Sequence, residues 1–282
     1  MKSIKLIFSG EKCINSKILN ILGVQSFRYL FSKFLYFIKF LIIKRKKYLK
    51  IFHNGFDIQK KFLDKENFDN VCKEYHDAIN DPKYSKKILQ TNKFKESVEI
   101  TSVDINEDIK KEYPNLYNLM FNEKIRDFFI SCEQKKNVKI YVCLEKIETI
   151  NNLNLDSQKK YHYDTFYNTF KAWLYIDDVT PEDGPFFYIK NSHKISFKRF
   201  FIEWIFSIKY AFNRDLDASF RYGNSLKNQK ELNAIAKRFD NNKNTFIMAN
   251  THGLHRRGDS RLNAIRNSIH FYSRENPFKV IK

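Results

Sequence analysis

Beyond residue 137 the chain alternates, with Val138, Ile140, Val142 and Leu144 set against Lys139, Tyr141, Cys143 and Glu145. A period of two is the mark of a half-buried strand. Similar short stretches over 160–164, 169–177, 185–190, 245–250 and 264–272 predict further strands. Upstream the period is helical. Phe68, Val71, Cys72, Tyr75 and Ile79 recur at helical spacing behind Asp64, an N-cap type, which predicts a helix over 67–79 closed by Asp81-Pro82. A short strand is expected over 56–62. A second helix is expected from 116 to 132, with Leu119, Met120, Ile125, Phe128 and Phe129 turned inward. Residues 194–212 read as a helix inserted between strands. Helices followed by many short strands predict an α+β domain ending in an antiparallel sandwich or barrel. No internal repeat or low-complexity linker interrupts it.

Residues 18–52 have a different texture, apolar and aromatic but interrupted by Arg28, Lys33, Lys39 and the run Lys44-Arg45-Lys46-Lys47. A membrane-spanning helix needs roughly 20 largely uncharged residues, and no such stretch survives. Neither an uninterrupted short apolar core nor a small-residue cleavage site of a secretory signal is evident. On a helical wheel Arg28, Lys33, Lys39, Lys46, Lys47 and Lys50 share about half the circumference. Phe27, Phe31, Phe34, Leu41 and Ile42 lie largely outside it, although Phe40 falls inside and Arg45 outside. Residues 1–52 therefore read as a basic, aromatic helical extension of a main domain over 53–282. Such a helix can lie on an anionic membrane through residues 18–52. It can instead pack its apolar face on the domain and leave its lysines solvated.

Composition narrows the function classes. The 282 residues are 29% charged and 43% hydrophobic, with 28 Phe and 16 Tyr, enough apolar mass to exclude wholesale disorder. Seven Gly and five Pro exclude collagen-like and linker-rich architectures. Of the net charge of +19, more than half comes from residues 1–52, which hold 12 Lys/Arg against the single acid Glu11. No nucleic-acid motif accompanies that charge, so no nucleic-acid partner is expected. Cys13, Cys72, Cys132 and Cys143 form no CxxC pair, which argues against both a disulfide scaffold and a thiolate zinc site. A cytoplasmic setting, with any membrane contact at the inner face, is the expectation.

The candidate chemistry begins at Tyr161-His162-Tyr163-Asp164. Residues i and i+2 of a strand share a face, so His162 and Asp164 can converge on one metal ion from a rigid support. Alone, such a pair is common by chance. The later segment Thr251-His252-Gly253-Leu254-His255-Arg256-Arg257-Gly258, followed by Ala264-Ile265-Arg266-Asn267-Ser268-Ile269-His270, adds weight. A distal histidine there would complete a two-His, one-carboxylate face on Fe(II) with three positions open. An Arg on the next strand can hold the far carboxylate of a chelating keto-diacid through its fork.

With those residues in view, the region 138–272 resembles the phytanoyl-CoA dioxygenase family of Fe(II)/2-oxoglutarate oxygenases. Beyond the metal motif the likeness rests on Lys171-Ala172-Trp173-Leu174-Tyr175-Ile176-Asp177-Asp178-Val179. It continues in Asp183-Gly184-Pro185-Phe186-Phe187-Tyr188-Ile189-Lys190-Asn191-Ser192-His193-Lys194, where Asn191 replaces the family's usual Gly. The resemblance implies a double-stranded β-helix, a jelly-roll or cupin-like core, with flanking N-terminal helices and a helical insertion. His162 and Asp164 match the first two iron ligands. The interval from His255 to Arg266 matches the family's interval from distal His to oxoglutarate-binding Arg, whereas the same count from His252 falls on Asn263. The resemblance thus implies His255 as third ligand and Arg266 as carboxylate clamp.

Trp173 matches a position lining the oxoglutarate pocket. Alternation then turns Lys171, Tyr175, Ser268 and His270 to the same side. A Ser found two residues past the distal His in some members is Arg257 here, leaving Ser268 or Tyr175 to supply that contact. His193 matches a motif expected to organise a loop, His53 and His76 are expected at the surface, and His252 beside the ligands or near the substrate. The implied reaction consumes 2-oxoglutarate and O₂ at Fe(II), releases succinate and CO₂, and hydroxylates a C–H of a small-molecule, lipid or glycan-linked substrate. An intact Asp164, where related halogenases carry a small residue, argues for oxygenation. Two readings from other classes are a non-catalytic binding or scaffold member of the fold and a peripheral membrane protein whose basic helix is the working part. The substrate-defining residues lie before 138 and over 194–243, where no code is readable.

Overall fold

Local signals set most element boundaries in the computed structural model, which describes residues 2–44, 47–92, 95–151, 156–213, 220–221 and 226–279. The N-terminal region forms α1 (Lys2–Ile7), α2 (Lys17–Ile21), α3 (Val24–Ile43) and α4 (Leu49–Asn54), followed by β1 (Phe56–Lys60). The anticipated continuous helix is broken, because Gly23 and Lys44 take left-handed backbone at the two ends of α3. Arg45 and Lys46 lie outside the described residues. Helix α5 (Lys65–Asn80) begins where Asp64 accepts from the Asn67 N–H, a side-chain oxygen satisfying one of the orphan amides of the first turn. Strands β2 (Lys86–Asn92) and β3 (Lys95–Ile105) form a hairpin. The helix expected over 116–132 is two, α6 (Pro114–Asn118) and α7 (Glu123–Glu133). Asn122 ends the first segment and caps the second by accepting from Lys124 and Ile125.

Strand β4 (Tyr141–Thr149) is followed by β5 (His162–Tyr163), β6 (Phe170–Tyr175), β7 (Phe186–Ile189) and the inserted α8 (Phe197–Phe212). Then come β8 (Phe220–Arg221), α9 (Leu226–Ile235), β9 (Ala236–Phe239), β10 (Thr245–Asn250), β11 (His255–Arg257) and β12 (Ile265–Tyr272). They build two sheets, a seven-stranded one ordered β1-β10-β6-β12-β4-β3-β2 and a five-stranded one ordered β8-β5-β11-β7-β9. Every pairing among the described residues is antiparallel.

Alternation along the central strands divides the interior in two. Phe170, Ala172, Leu174 and Ile176 point away from the small sheet, into a core with Phe68, Val71 and Tyr75 of α5 and Phe128 and Phe129 of α7. Opposite, Tyr175, Ile247 and Ala249 meet Phe186, Tyr188 and Phe239 of the small sheet, with Trp173 packed against them. The outer core anchors the large sheet to its helices by burial of apolar area. The inner one closes only part of the space between the sheets, and the remainder is the cavity.

Candidate metal centre and its cavity

Two short strands of the small sheet bring the metal candidates together. In the β5–β11 pairing His255 lies directly opposite His162, and directly opposed residues of an antiparallel pair share a face. Their rings stand 4.4 Å apart between centroids. His162 Nδ1 donates to the Lys160 carbonyl at 2.8 Å and His255 Nδ1 to the Gly253 carbonyl at 2.9 Å. Each bond fixes the tautomer with its proton on Nδ1 and the lone pair on Nε2, the arrangement that suits a metal ligand. Both Nε2 atoms face Oδ1 of Asp164, at 3.9 and 3.8 Å. The three residues offer ligand atoms within 4.8 Å of one another. Asp164 sits just past β5, its N–H donating to the Thr251 carbonyl. Gly253 is needed in the turn before His255, because a Cβ there would collide with the Tyr188 hydroxyl.

Lys171, from β6 of the facing sheet, completes the group. Its ammonium lies 2.8 Å from Oδ2 of Asp164, the oxygen that the imidazoles do not face. Burial alone would raise this carboxyl, but Lys171 outweighs it, joined by His255 and His162 when those rings are protonated, and Asp164 is held well below the usual carboxylate range.

The cluster opens into a cavity of about 280 Å³ between the sheets. Trp173, Tyr175, Arg266 and His270 line it beside the three metal candidates, as alternation from Lys171 requires. Trp173 is directly opposite His270 and stacks on it at 5.3 Å with planes 2° apart, its other side against Phe186. Arg266 bonds the Gly184 carbonyl through one terminal nitrogen, while its buried Nε has no partner among the described residues. Ser268 faces Tyr175 across the strands. It is fully buried, its hydroxyl likewise without a described partner, and it does not reach the cavity lining.

Arg257 is accounted for by Asp156, which it meets at 2.6 Å in a buried pair. His252, the rival distal histidine, is not in the cluster. It is buried on the other side, donating from Nδ1 to the Thr165 carbonyl and stacking on Tyr29 of α3 at 5.7 Å. His193 ties the turn after β7 to α4 through Nε2 and the Phe52 carbonyl. His53 and His76 are exposed.

Glu145 was not among the sequence candidates, yet it lies in the cavity opposite Ser268, 3.3 Å from His270. Burial would raise it, but His270, then Arg266 and Lys171, reverse this and hold it at about 2. Its strand pattern marked it only as polar. That its polar side faces a cavity follows from β4 lying beside β12, which no local pattern reveals. Arg274, beyond the last strand, also reaches the cavity and carries no sequence signal.

No protein-family model and no curated protein matches this chain. Solved structures do match in fold. The epimerase SnoN, in a complex with Fe³⁺, α-ketoglutarate and nogalamycin RO, aligns over 83% of this chain and 84% of its own, with TM-score 0.52 and 11% identity. EctD from S. alaskensis with bound Fe aligns over 84% and 80%, with TM-score 0.52 and 11% identity. HygX from Streptomyces hygroscopicus, with nickel and 2-oxoglutarate bound, aligns over 81% and 86%, with TM-score 0.50 and 13% identity. At such identities the likeness is one of fold. The chain therefore shares the fold of those three proteins, each of which was solved with a metal and two of which were solved with the keto acid.

Proposed function

We propose that this protein is an Fe(II)- and 2-oxoglutarate-dependent oxygenase of phytanoyl-CoA dioxygenase type, with its two sheets forming a double-stranded β-helix. One observation carries the reading. Two imidazoles locked in the Nδ1–H tautomer converge with one carboxylate oxygen at the floor of a cavity that also holds a buried, half-satisfied guanidinium. A two-His, one-carboxylate donor set suits Fe(II) and leaves positions open for other ligands. When bound, iron with 2-oxoglutarate and O₂ supplies the oxidising chemistry, giving succinate, CO₂ and a hydroxylated C–H.

The chain's own residues bind and orient. His162, Asp164 and His255 would hold the metal, with Lys171 steering Asp164 by occupying its second oxygen. Arg266 would bind the distal carboxylate of 2-oxoglutarate through the edge that carries its unpartnered Nε. Trp173 and Tyr175 would form the pocket wall, and Ser268 would lend its hydroxyl on a small side-chain shift. Trp173, Phe186 and His270 give that wall a stacked aromatic surface. Asp164 fills the position a halide would need, which favours hydroxylation over halogenation. The fold does not choose among outcomes, since SnoN on the same scaffold is an epimerase.

Succinate formation from 2-oxoglutarate by aerobic, Fe(II)-loaded protein tests this reading. Slow turnover without substrate, abolished in His162→Ala, is expected. Folded, iron-loaded protein that forms no succinate above the variant's background speaks against it.

A further inference from the structure

Helix α3 is turned inside out. Arg28, Lys33 and Lys39 are 2%, 8% and 4% exposed, whereas Phe27, Phe34 and Phe37 are 64%, 56% and 56% exposed. The inward cations are well occupied. Arg28 donates to the carbonyls of Ile7, Ser9 and Glu11 and to Gln25. Lys33 donates to Asn168 and the His193 carbonyl. These polar contacts fix the rotation of the helix, so the aromatic stripe cannot roll inward without stranding buried charge. The amphipathic helix therefore does pack on the domain, but through the face expected in water.

Helix α8 repeats the inversion. Its buried side is Arg199, Glu203, Ser207 and Ala211, with Arg199 and Glu203 paired at 2.8 Å. Its exposed side is Phe197, Phe201, Ile205 and Phe212. The two helices lie side by side, joined by Ser26 donating to the Phe200 carbonyl and by Phe27 set edge-on to Phe200. Next to them Phe8, Phe27, Leu30, Phe31, Phe34 and Phe278 line an apolar groove of about 460 Å³. Exposed apolar side chains gathered in one place and rimmed by polar residues mark protein or membrane interaction sites.

The charge around the patch says what covers it. Lys5, Lys17, Lys44, Lys194, Lys198 and Lys209 are exposed on or beside these helices. The acids of α3 and α8 reduce to Glu203, which is buried against Arg199. A second copy of the chain would bring one lysine-rich rim against another, with Glu11 as an exposed acid beside it, and this excess of like charge disfavours self-pairing. An anionic lipid surface answers both features, since acyl chains receive the aromatic stripe and headgroups meet the rim. No helix among the described residues is long and apolar enough to cross a membrane, so the seat is interfacial.

We propose that α3 and α8 together form a docking platform that inserts into one leaflet of an anionic bilayer. The platform is independent of the chemistry assigned to the cavity. Flotation of the full chain with phosphatidylcholine vesicles, with and without phosphatidylglycerol, tests it against Phe34→Ser/Phe201→Ser, a change at two exposed positions that leaves the core intact. Wild type is expected to float with the anionic vesicles, and the double variant to partition at least about ten-fold less. Trp204 lies on α8, so in a Trp173→Phe background its emission should shift to the blue on binding. Equal flotation of both forms, or none for wild type, overturns the proposal. So does a lipid-free dimer of wild type that the double variant dissolves into monomers, which would make the face a contact between copies.

Discussion

The ammonium of Lys171 stands 2.8 Å from Oδ2 of Asp164, while Oδ1 of the same carboxylate faces Nε2 of His162 and His255 at 3.9 and 3.8 Å. One oxygen is thus held by the large sheet and the other is presented to the two histidines of the small sheet. The carboxylate is fixed across the gap between the sheets.

Removing that hold should loosen the metal site without destroying it. Lys171→Met is expected to weaken Fe(II) binding by roughly 10- to 100-fold, the usual cost of losing a partner that orients a ligand. Anaerobic competition against a chelator measures it. Unchanged affinity would remove Lys171 from the account of the site.

Arg266 should act on the keto acid alone. Arg266→Ala is expected to raise the 2-oxoglutarate dissociation constant roughly 10- to 100-fold, the loss of a charged hydrogen-bonded pair, and to leave Fe(II) affinity unaltered. Calorimetric titration of the metal-loaded protein separates the two effects.

Stability should depend on the inward charges of the insertion. Glu203→Ala leaves Arg199 buried without its carboxylate, and breaking a buried pair from one side costs about 3–5 kcal/mol. Chemical denaturation followed by circular dichroism reads the loss. A cost below about 1 kcal/mol would place the pair in effective contact with solvent.

Glu133, at the end of α7, supplies a pH signature. Burial pushes its carboxyl from an ordinary 4.5 up to about 7, against the Ser273 hydroxyl and Lys135. The folded protein therefore holds this proton more tightly than the unfolded chain. Its stabilisation is complete below about 4.5 and is lost as pH rises to about 7, a difference on the order of 3 kcal/mol. Glu133→Gln should flatten that slope. Melting temperatures of both proteins between pH 5 and 8 give the comparison, and parallel slopes would contradict it.

Much of the sheet and most of the candidate site were legible in the sequence because their signals are local. Strand β10 matches its expected span, and Asp64 caps α5 as its residue type suggests. Hairpin β2–β3 was not legible for a physical reason. Along β3 the apolar residues change side, with Val98 and Ile100 paired to Thr149 and Ile147 toward the cavity, then Val103 and Ile105 to Leu144 and Val142 toward the helices. No constant period results. The orientation of α3 was hidden similarly, since a wheel shows two faces without saying which one finds carbonyls to bind. Lys171 and Glu145 became interpretable only once the sheet order set them opposite Asp164 and beside Arg266.

The most direct test of the proposed centre is anaerobic titration of the apoprotein with Fe(II) and 2-oxoglutarate, followed through the weak visible metal-to-ligand charge-transfer band. A band is expected in wild type and in His252→Ala, whose substituted side chain faces Tyr29, and none in His255→Ala. Loss in His252→Ala with retention in His255→Ala would contradict the ligand set. Absence of the band from folded, iron-loaded wild type would contradict the centre itself.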